Sequence, residues 1–230
     1  MSETPLEILY EDNHLLAVNK PAGWPCQPDA SGDPTLVEAA QAYLKKKYHK
    51  PGNVFVGLVH RLDRPVAGAV VLARTSKAAA RLSAAFREGR IEKVYRAVVG
   101  GCVESDEDRL THWLRKISRR RRSEVAAPDA PGARRAILDY RVIGTAAGSS
   151  LLEVVLHTGR SHQIRVQLAA VGHPILGDLK YGAVAALPGG VIALYARRLQ
   201  FDHPTRAEVV DVVAPDPPGW PWPASGGRKR

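Results

Sequence analysis

The chain of 230 residues contains only two cysteines, Cys26 and Cys102, and fewer acidic than basic side chains, 23 against 33. Two isolated cysteines form neither a disulfide framework nor a metal-ligand spacing, which is typical of proteins of the reducing cytoplasm. No apolar run reaches the roughly 18 residues that a membrane span requires. The N-terminus, residues 1–7, is polar and acidic, whereas a signal peptide begins with a basic and then an apolar region.

The sequence also lacks the Gly-x-x-x-x-Gly-Lys run that binds nucleotide phosphates, and it has no cluster of metal-ligand residues. What it does have is a formal net charge of +10, with arginines that cluster along the chain. A field of this sign attracts polyanions, either nucleic acid or an anionic membrane surface. Nucleic acid is the better candidate, so we predict a nucleic-acid partner, no membrane association, no metal and no nucleotide cofactor.

Local sequence patterns predict many short strands and few helices. The predicted strands cover residues 6–10, 14–19, 54–56, 69–73, 94–99, 136–142, 151–157, 191–201 and 208–213. The predicted helices cover residues 34–47 with Asp33 as the cap, residues 76–89, and a third segment from its cap Ser161 to Gly172. Strands that outnumber helices and are joined by short turns predict an α+β fold, with a mixed, largely antiparallel central sheet flanked by a few helices.

One acid stands out because of its neighbours. Asp63 is the single acid in the run HRLDRPVAG, residues 60–68, where His60, Arg61 and Arg64 surround it. Nearby positive charge favours the ionised carboxylate, which can act as a nucleophile or stabilise a developing cation. Predicted buried strands on both sides would hold such a loop rigidly. The alternative is an exposed turn with a surface salt bridge, the usual outcome for an isolated Arg-x-Asp.

Three further segments accompany this run: NKPAG at residues 19–23, KVYRAVVG at residues 93–100, and LHTGRSHQIRVQL followed by GHPILGD within residues 156–178. Together, in this order, the four segments resemble the RluA-type family of RNA pseudouridine synthases, over residues 8–215. This chain has Val66-Ala67 where that family commonly has Thr-Ser, and Gln27 where many relatives have histidine. The acid, the arginine and the glycine of the run are all kept.

The resemblance implies the pseudouridine synthase fold, with one catalytic domain at residues 1–215 and no accessory RNA-binding domain at the N-terminus. A Pro- and Gly-rich basic tail, residues 216–230, is predicted to be poorly ordered. The implied activity is isomerisation of specific uridines to pseudouridine in structured rRNA or tRNA, by a cytoplasmic monomer. Because reactant and product are isomers, no redox cofactor and no nucleotide triphosphate is required.

The family also implies roles for four residues. Asp63 would act as the nucleophile once the nucleotide has flipped out of its helix, by bonding to the ribose, by attacking the base or by assisting elimination to a glycal. Tyr95 would stack on the target uracil, although a strand tyrosine can also be an ordinary core residue. Arg165 would form an ion pair with Asp63, the alternative being a solvated arginine on a helix face. Arg61 would fill the vacated space in the RNA, or else contact a phosphate or an acid of its own loop.

Further basic residues of the shared motifs are candidates for phosphate contacts, although each could be an ordinary surface cation: Lys20, Arg64, Arg160 and His162. His60 could touch RNA or bond to backbone. An insert at residues 114–122, between two predicted strands, carries the run Arg119, Arg120, Arg121 and Arg122. Adjacent arginines are usually a solvated charge run, but with an RNA substrate they suggest a clamp on the phosphate backbone.

Two other functions stay open at this point. A non-catalytic RNA-binding or ribosome-assembly protein could keep the same fold, but such a protein would be free to lose Asp63, Arg61, Tyr95 or Arg165. A glycoside hydrolase or nucleosidase could use Asp63, but it normally needs a second carboxylate. Asp178 could be proposed as that second acid, but its position after Gly177 suggests a structural turn instead.

Overall fold

The computed structural model describes residues 6–120 and 122–222. It divides the chain into two compact units, residues 1–92 with 196–217 and residues 93–195 with 218–230. Eleven strands and three α-helices occur in the described residues, and the sheet is mixed and mostly antiparallel, which confirms the predicted α+β class. None of the helices in those residues has the length and apolar content needed to cross a bilayer.

The elements follow one another along the chain with short connections. In order they are β1 (Glu7–Glu11), β2 (Leu15–Lys20), α1 (Leu36–Lys47), β3 (Gly57–Leu58), β4 (Ala67–Ala73), α2 (Ser76–Arg87), β5 (Glu92–Gly100), β6 (Glu107–Ile117), β7 (Arg122–Ala126), β8 (Arg134–Ala146), β9 (Ser149–Leu156), α3 (Gln163–Ala170), β10 (Leu194–Asp202) and β11 (Val209–Val213). Most predicted elements are confirmed to within about two residues at each end, the usual uncertainty of a helix or strand boundary.

In the first unit the strands are ordered β1–β2–β4–β10, with β3 also on β4 and β11 also on β10. Every residue of β4 is buried, and so are all but one of β2. Both strands are rich in consecutive apolar residues, a pattern typical of strands that are covered on both faces. Helix α2 packs Leu82 into the same core as Val71 and Phe201. The strand that leads out of the Asp63 loop is therefore among the best-buried parts of the unit.

Helix α1 begins with a capping box rather than with the predicted cap. The Thr35 hydroxyl accepts a hydrogen bond from the Glu38 N–H at 3.2 Å, and the Glu38 carboxylate accepts one from the Thr35 N–H at 2.9 Å. This reciprocal pair satisfies two N–H groups that would otherwise lack partners. Asp33 was predicted to cap this helix, and that prediction is wrong, since its carboxylate instead accepts a hydrogen bond from Arg64.

In the second unit the strands are ordered β5–β9–β8–β6–β7, and every one of these neighbouring pairs is antiparallel. Helix α3 packs on this arrangement through Val166, which joins Leu114, Ala136 and Tyr181 in one apolar cluster. The helix is buried along most of its length, including the polar residues Gln163 and Arg165. A buried arginine requires a charged or hydrogen-bonding partner, which is described with the site.

The arginine-rich segment is a hairpin, not an insert between strands. Residues 114–117 complete β6, a single 3-10 turn at Ser118–Arg120 follows, and β7 begins at Arg122. The prediction of an insert is wrong because polar and charged side chains occupy most of the solvent-facing positions of β6, which leaves few apolar residues to mark a strand. Only Leu110 and Leu114 of this strand are buried.

Helix α3 starts one residue later than predicted. His162 is its N-cap, in the left-handed region at φ 57°, and Ser161 makes no cap. The turn is held by the buried Gln163, whose side-chain oxygen accepts hydrogen bonds from the Arg160 N–H at 3.0 Å and the Thr158 hydroxyl at 2.8 Å. The predicted end of the helix at Gly172 is close to the observed one, two residues earlier.

Part of the C-terminal tail, which was predicted to be poorly ordered over residues 216–230, packs on the second unit. The Trp220 ring packs edge-on against Tyr195 with 4.8 Å between ring centroids. Trp222 lies over Gly144, where an added Cβ would come within 2.8 Å of the indole. The two aromatic side chains therefore tie the tail to the second unit. Residues 223–230 lie outside the described residues.

Candidate active site

Asp63 occupies a loop of the first unit between β3 and β4 and is half-buried. Its carbonyl accepts a hydrogen bond from the Val66 N–H at 3.0 Å, which closes a tight turn. Val66 and Ala67, where this chain departs from the family pattern, are 3% and 5% exposed and so belong to the core. On the other side of the loop the predicted strand at residues 54–56 is wrong, because within residues 54–58 only Gly57–Leu58 pairs with β4.

Lys20 ties the Asp63 loop to the loop after β2. Its ammonium is fully buried and donates to three carbonyl oxygens, of Pro21 at 2.9 Å, Trp24 at 2.8 Å and Arg64 at 3.2 Å. The Gly23 N–H also donates to the Arg64 carbonyl, at 2.7 Å. Two loops that are far apart in sequence are thus joined at the residue that follows Asp63.

The burial of Lys20 corrects its predicted role. Burial lowers the pKa of Lys20 to about 8, and the negative charge of Asp63 acts in the opposite direction. A lysine that is 0% exposed, with its donors directed at three carbonyls, has no free ammonium for a phosphate. The predicted phosphate contact is therefore wrong, and Lys20 holds the loop instead.

A buried thiol provides a further contact with this loop. The Cys26 Sγ donates to the carbonyl oxygen of Leu62 at 3.5 Å. Burial raises the pKa of the Cys26 thiol, with Lys20 and Arg61 opposing the shift. A neutral buried thiol is a weak hydrogen-bond donor and a poor nucleophile, so Cys26 supports the residue before Asp63 and does not compete with it chemically.

Gly68 is the residue at which the Asp63 run enters β4, and only glycine fits there. Its φ is +111°, and a Cβ would lie 2.3 Å from the Ala196 carbonyl oxygen and 2.6 Å from the Ala196 nitrogen. Those atoms are backbone of the neighbouring strand and cannot turn away. The glycine of the motif thus serves close strand packing beneath the loop.

We expect Gly68→Ala to destabilise the protein by about 3 kcal/mol or more, because backbone strain and the overlap with Ala196 both oppose folding. Gly52→Ala is the matched control, since its added methyl group meets open space and its φ lies outside the left-handed region. The control should change stability by no more than about 0.5 kcal/mol. Urea unfolding of the two variants measures both effects, and equal midpoints would contradict the packing argument.

His60 is held within the first unit by two described contacts. Its Nε2 accepts a hydrogen bond from the Val71 N–H at 3.0 Å, and its ring stacks on Phe86 with 4.3 Å between centroids. An Nε2 that accepts from an amide belongs to a neutral imidazole with its proton on Nδ1. The structure therefore favours the backbone-bonded alternative for His60 over an RNA contact.

The two arginines beside Asp63 differ in their surroundings. Arg61 is exposed. Arg64 is also exposed, and its guanidinium donates to Asp33 and lies 3.5 Å from Asp29. These two acids raise the pKa of Arg64, which keeps the guanidinium charged. A role in RNA binding stays a prediction for both arginines, and Arg64 would have to exchange acidic partners for phosphate.

In the second unit Tyr95 lies on β5 opposite Val154 and is 9% exposed. Its role as a platform for the uracil stays a prediction. Arg165, in the first turn of α3, forms a two-point ion pair with Asp178: Nε to Oδ2 at 2.6 Å and Nη2 to Oδ1 at 2.8 Å. The two side chains are 6% and 1% exposed, so this is a buried charge pair and Arg165 is not a solvated arginine.

The side chain of Tyr181 contacts three of the predicted site residues of the second unit. The Arg165 guanidinium lies 5.1 Å from the centre of its ring and that of Arg122 lies 5.3 Å away. The His162 Nδ1 is 2.7 Å from its hydroxyl oxygen. Asp178 was considered only as a possible second carboxylate, and Tyr181 was not considered. The only sequence signal was the GHPILGD segment, which ends at Asp178 and directly precedes the turn Leu179–Tyr181.

The remaining predicted contacts are distributed over the surface of the second unit. Arg160 is half-buried, and its Nε donates to the Arg135 carbonyl oxygen at 3.0 Å. Arg119 is exposed in the turn of the β6–β7 hairpin. Arg120 belongs to the same turn. Arg121 lies outside the described residues. Arg122 packs over Tyr181, so it is not part of a freely solvated run.

The predicted site residues fall into two groups by unit. Asp63 and the basic residues of its loop belong to the first unit, whereas Tyr95, Arg165 and the hairpin arginines belong to the second. Within the first unit, hydrogen bonds join the loops of Lys20 and Asp63; within the second, Arg165, His162 and Arg122 meet at Tyr181. The ion pair between Asp63 and Arg165 stays a prediction.

Known proteins share both the sequence pattern and the fold. The model of the RNA pseudouridylate synthase family matches residues 14–170. Over 225 residues the chain is 38% identical to "Ribosomal large subunit pseudouridine synthase D" of Zymomonas mobilis, which covers 94% of this chain and 70% of that protein. The solved structure "Human RNA Pseudouridylate Synthase Domain Containing 1" is 28% identical with a TM-score of 0.72, covering 92% of this chain and 83% of that one.

A second solved structure, "Human RNA Pseudouridylate Synthase Domain Containing 4", has a TM-score of 0.75 at 24% identity and shares the fold, covering 90% of this chain and 87% of its own. Fold and motifs together thus define an RNA-modifying isomerase. The chain belongs to the RNA pseudouridylate synthase family. The predicted family, enzyme class and RNA substrate are confirmed.

Proposed function

We propose that this enzyme isomerises specific uridines of structured ribosomal RNA or transfer RNA, with Asp63 as the nucleophile. Ribosomal RNA is the first substrate to test, because the Zymomonas mobilis relative is named for the large ribosomal subunit. The observation that carries the proposal is the position of Asp63, a half-buried acid on a tight turn. Lys20 binds the carbonyl of the next residue, Arg64, and Gly68 lets the following strand pack closely against its neighbour. Such support is what a reacting carboxylate requires.

In the proposed reaction an Asp63 carboxylate oxygen bonds to C1′ of the ribose, and the bond from C1′ to N1 of uracil breaks with its electron pair on the base. The base turns so that C5 faces the sugar, C5 bonds to C1′, and the carboxylate leaves with its electron pair. Loss of the C5 proton and protonation of N1 complete pseudouridine. No atom is gained or lost, so no co-reactant is needed. Positive charge develops on the sugar during both steps, and a carboxylate beneath it stabilises that charge.

The target nucleotide must first leave its helix, because a stacked base cannot reach Asp63. Arg61, exposed beside the acid, is suited to fill the vacated position, and Tyr95 to stack on the everted uracil. Arg165 would keep Asp63 ionised and oriented. Its own orientation is supported by the two-point ion pair with Asp178.

Pseudouridine mapping tests the proposal directly. Purified protein should convert one or a few uridines when incubated with unmodified rRNA and tRNA transcribed from the host's own genes, and the same sites should lose pseudouridine in cells that lack the protein. A protein that binds these transcripts but converts no uridine in any of them would instead support the non-catalytic assembly factor. Pseudouridine found in the tRNA transcripts alone would identify tRNA, and not rRNA, as the substrate.

We further propose that the arginines at positions 119–121, which include those of the turn Ser118–Arg120 in the β6–β7 hairpin, clamp the RNA phosphate backbone. Replacing Arg119, Arg120 and Arg121 by Gln should weaken RNA binding and reduce the slope of log Kd against log salt by about two to three, roughly one for each lost phosphate contact. Arg122 is left unchanged because it packs on Tyr181. Filter binding at several salt concentrations measures the slope.

The matched control removes three charges elsewhere, by replacing Lys45, Lys46 and Lys50, exposed residues at the end of α1 and just beyond it, by Gln. Net charge falls equally in both triple variants, so a difference between them reports a local clamp. Equal slopes would mean that only the overall field matters. An unchanged slope in the hairpin variant would rule the clamp out. In either variant pseudouridine should still form at saturating RNA, because Asp63 is unchanged.

A further inference from the structure

Tyr181 is buried in the second unit and contacts both the arginine hairpin and α3. It ends the 3-10 turn Leu179–Tyr181 and is 8% exposed. Its ring belongs to the apolar cluster with Leu114, Ala136 and Val166. Burial raises the pKa of the Tyr181 hydroxyl, so this group is a neutral donor and acceptor at physiological pH.

The hydroxyl of Tyr181 binds the edge strand that carries the arginines. The Ser123 N–H donates to this hydroxyl oxygen at 2.9 Å, and the Ser123 carbonyl oxygen lies 3.2 Å from it. Strand β7 is the last in the order of its unit, so within the described residues one row of its backbone groups has no neighbouring strand to pair with. Tyr181 supplies a substitute partner at the residue directly after Arg122.

The ring of Tyr181 meanwhile contacts the side chain proposed to orient Asp63. Arg165 lies 5.1 Å from its centroid and is held at its edge by Asp178, so the carboxylate and the aromatic face together fix the guanidinium. Arg122 approaches the same ring at 5.3 Å, and its Nε is buried without a hydrogen-bond partner in the part of the chain that the structure describes. A buried donor without a partner costs free energy, so Arg122 gains by changing contacts when an anion reaches the hairpin.

We propose that Tyr181 is a positioning residue that orients Arg165 and couples this arginine to occupation of the hairpin by RNA. Engagement of the hairpin by phosphates would act on β7 and Arg122, and Tyr181 would transmit this to Arg165 through its hydroxyl and its ring. The inference rests on the proposed function, because Arg165 requires orientation only if it serves Asp63. Tyr181 itself need not touch the substrate.

Two substitutions separate the contributions of ring and hydroxyl. Tyr181→Phe keeps the ring and removes the bond to Ser123, and we expect the single-turnover rate at saturating RNA to fall about tenfold. Tyr181→Leu also removes the aromatic face, and the fall should be about a hundredfold, the scale of a misplaced catalytic group. RNA affinity should change less than threefold in both, since Arg119, Arg120 and Arg121 are unchanged.

A double-mutant cycle distinguishes positioning from a general structural role. In an Arg165→Ala background, Tyr181→Phe should cause no further loss of rate, because no guanidinium is left to orient. If the two losses multiply instead, Tyr181 acts independently of Arg165 and the inference is overturned. Tyr140→Phe, a tyrosine of β8 that is also 8% exposed, controls for the removal of a hydroxyl and should leave the rate unchanged.

The wild-type protein provides the reference that separates this inference from the proposed function. The rates are measured on large-subunit rRNA transcribed in vitro. If wild type forms no pseudouridine there or on tRNA transcripts, the proposed function fails. If wild type is active and Tyr181→Phe keeps the wild-type rate, only the inference fails. Should Tyr181→Leu not fold, Tyr181→Phe and the cycle with Arg165→Ala still decide the question.

Discussion

Asp63→Asn is expected to abolish pseudouridine formation while RNA affinity stays within about threefold of the wild-type value. An amide cannot form the bond to C1′ and carries no charge to stabilise the sugar cation, so the single-turnover rate should fall on the order of 10⁴-fold or more. The side chains have the same shape, and the hydrogen bond that closes the turn comes from the Asp63 backbone. The loop should therefore remain folded around Lys20.

The measurement is conversion of uridine in a single turnover with enzyme in excess, read by mass spectrometry of RNA fragments, alongside Kd by filter binding. Asp129→Asn, an exposed acid in the loop after β7, is the matched control and should retain full activity. Asp63→Ala guards against slow deamidation of the introduced amide, which would restore the acid. Conversion at a substantial fraction of the wild-type rate in Asp63→Ala would show that another group carries the chemistry.

The strands and helices with strong apolar periodicity were predictable from sequence, and the polar ones were not. Strand β4 is buried at every position, and its run of Ala and Val residues marked it clearly. Strand β6 buries only Leu110 and Leu114, because polar and charged side chains occupy most of its other positions. A hairpin of that composition resembles a solvated loop to any argument based on hydrophobic pattern.

The candidate site followed a similar division. Motifs predicted Asp63 as the reacting acid and its loop as rigidly held, and the structure shows the contacts of Lys20 and Gly68 that support this loop. The roles of Lys20 and Asp178 could not be predicted, because a buried charge is recognised only by its partners, and those partners are set by the fold. Lys20 meets the Arg64 carbonyl from 44 positions away, and Asp178 meets Arg165 from 13. Sequence patterns contain no direct record of such contacts.

Helix ends show the same limit on a smaller scale. Asp33 and Ser161 are both residue types that favour the N-cap, and neither caps its helix. Thr35 is preferred to Asp33 because Glu38 lies three residues after it and completes the capping box. His162 takes the cap of α3 in a left-handed conformation, in which its ring reaches the Tyr181 hydroxyl. The position of the α3 N-cap is therefore set by a tertiary contact.

The ion pair between Arg165 and Asp178 should make Asp178→Ala one of the most destabilising single substitutions in the chain. Removing the carboxylate leaves a guanidinium that is 6% exposed without its principal counter-charge, at an expected loss of about 3–5 kcal/mol. Urea unfolding should show a lower midpoint at an unchanged slope. Asp139→Ala breaks a two-point pair of the same geometry with Arg109 on the surface, where the side chains are 35% and 62% exposed, and its loss should be much smaller because water screens both charges.

The double variant Arg165→Met with Asp178→Leu then separates folding from chemistry. Apolar side chains of similar volume can replace a buried ion pair with little or no loss of stability, so the unfolding midpoint should recover most of the way to wild type. Pseudouridine formation should not recover, since the charge proposed to orient Asp63 is gone. A stable double variant with wild-type activity would show that the Arg165–Asp178 pair has only a structural role in the second unit. Another group would then have to orient Asp63.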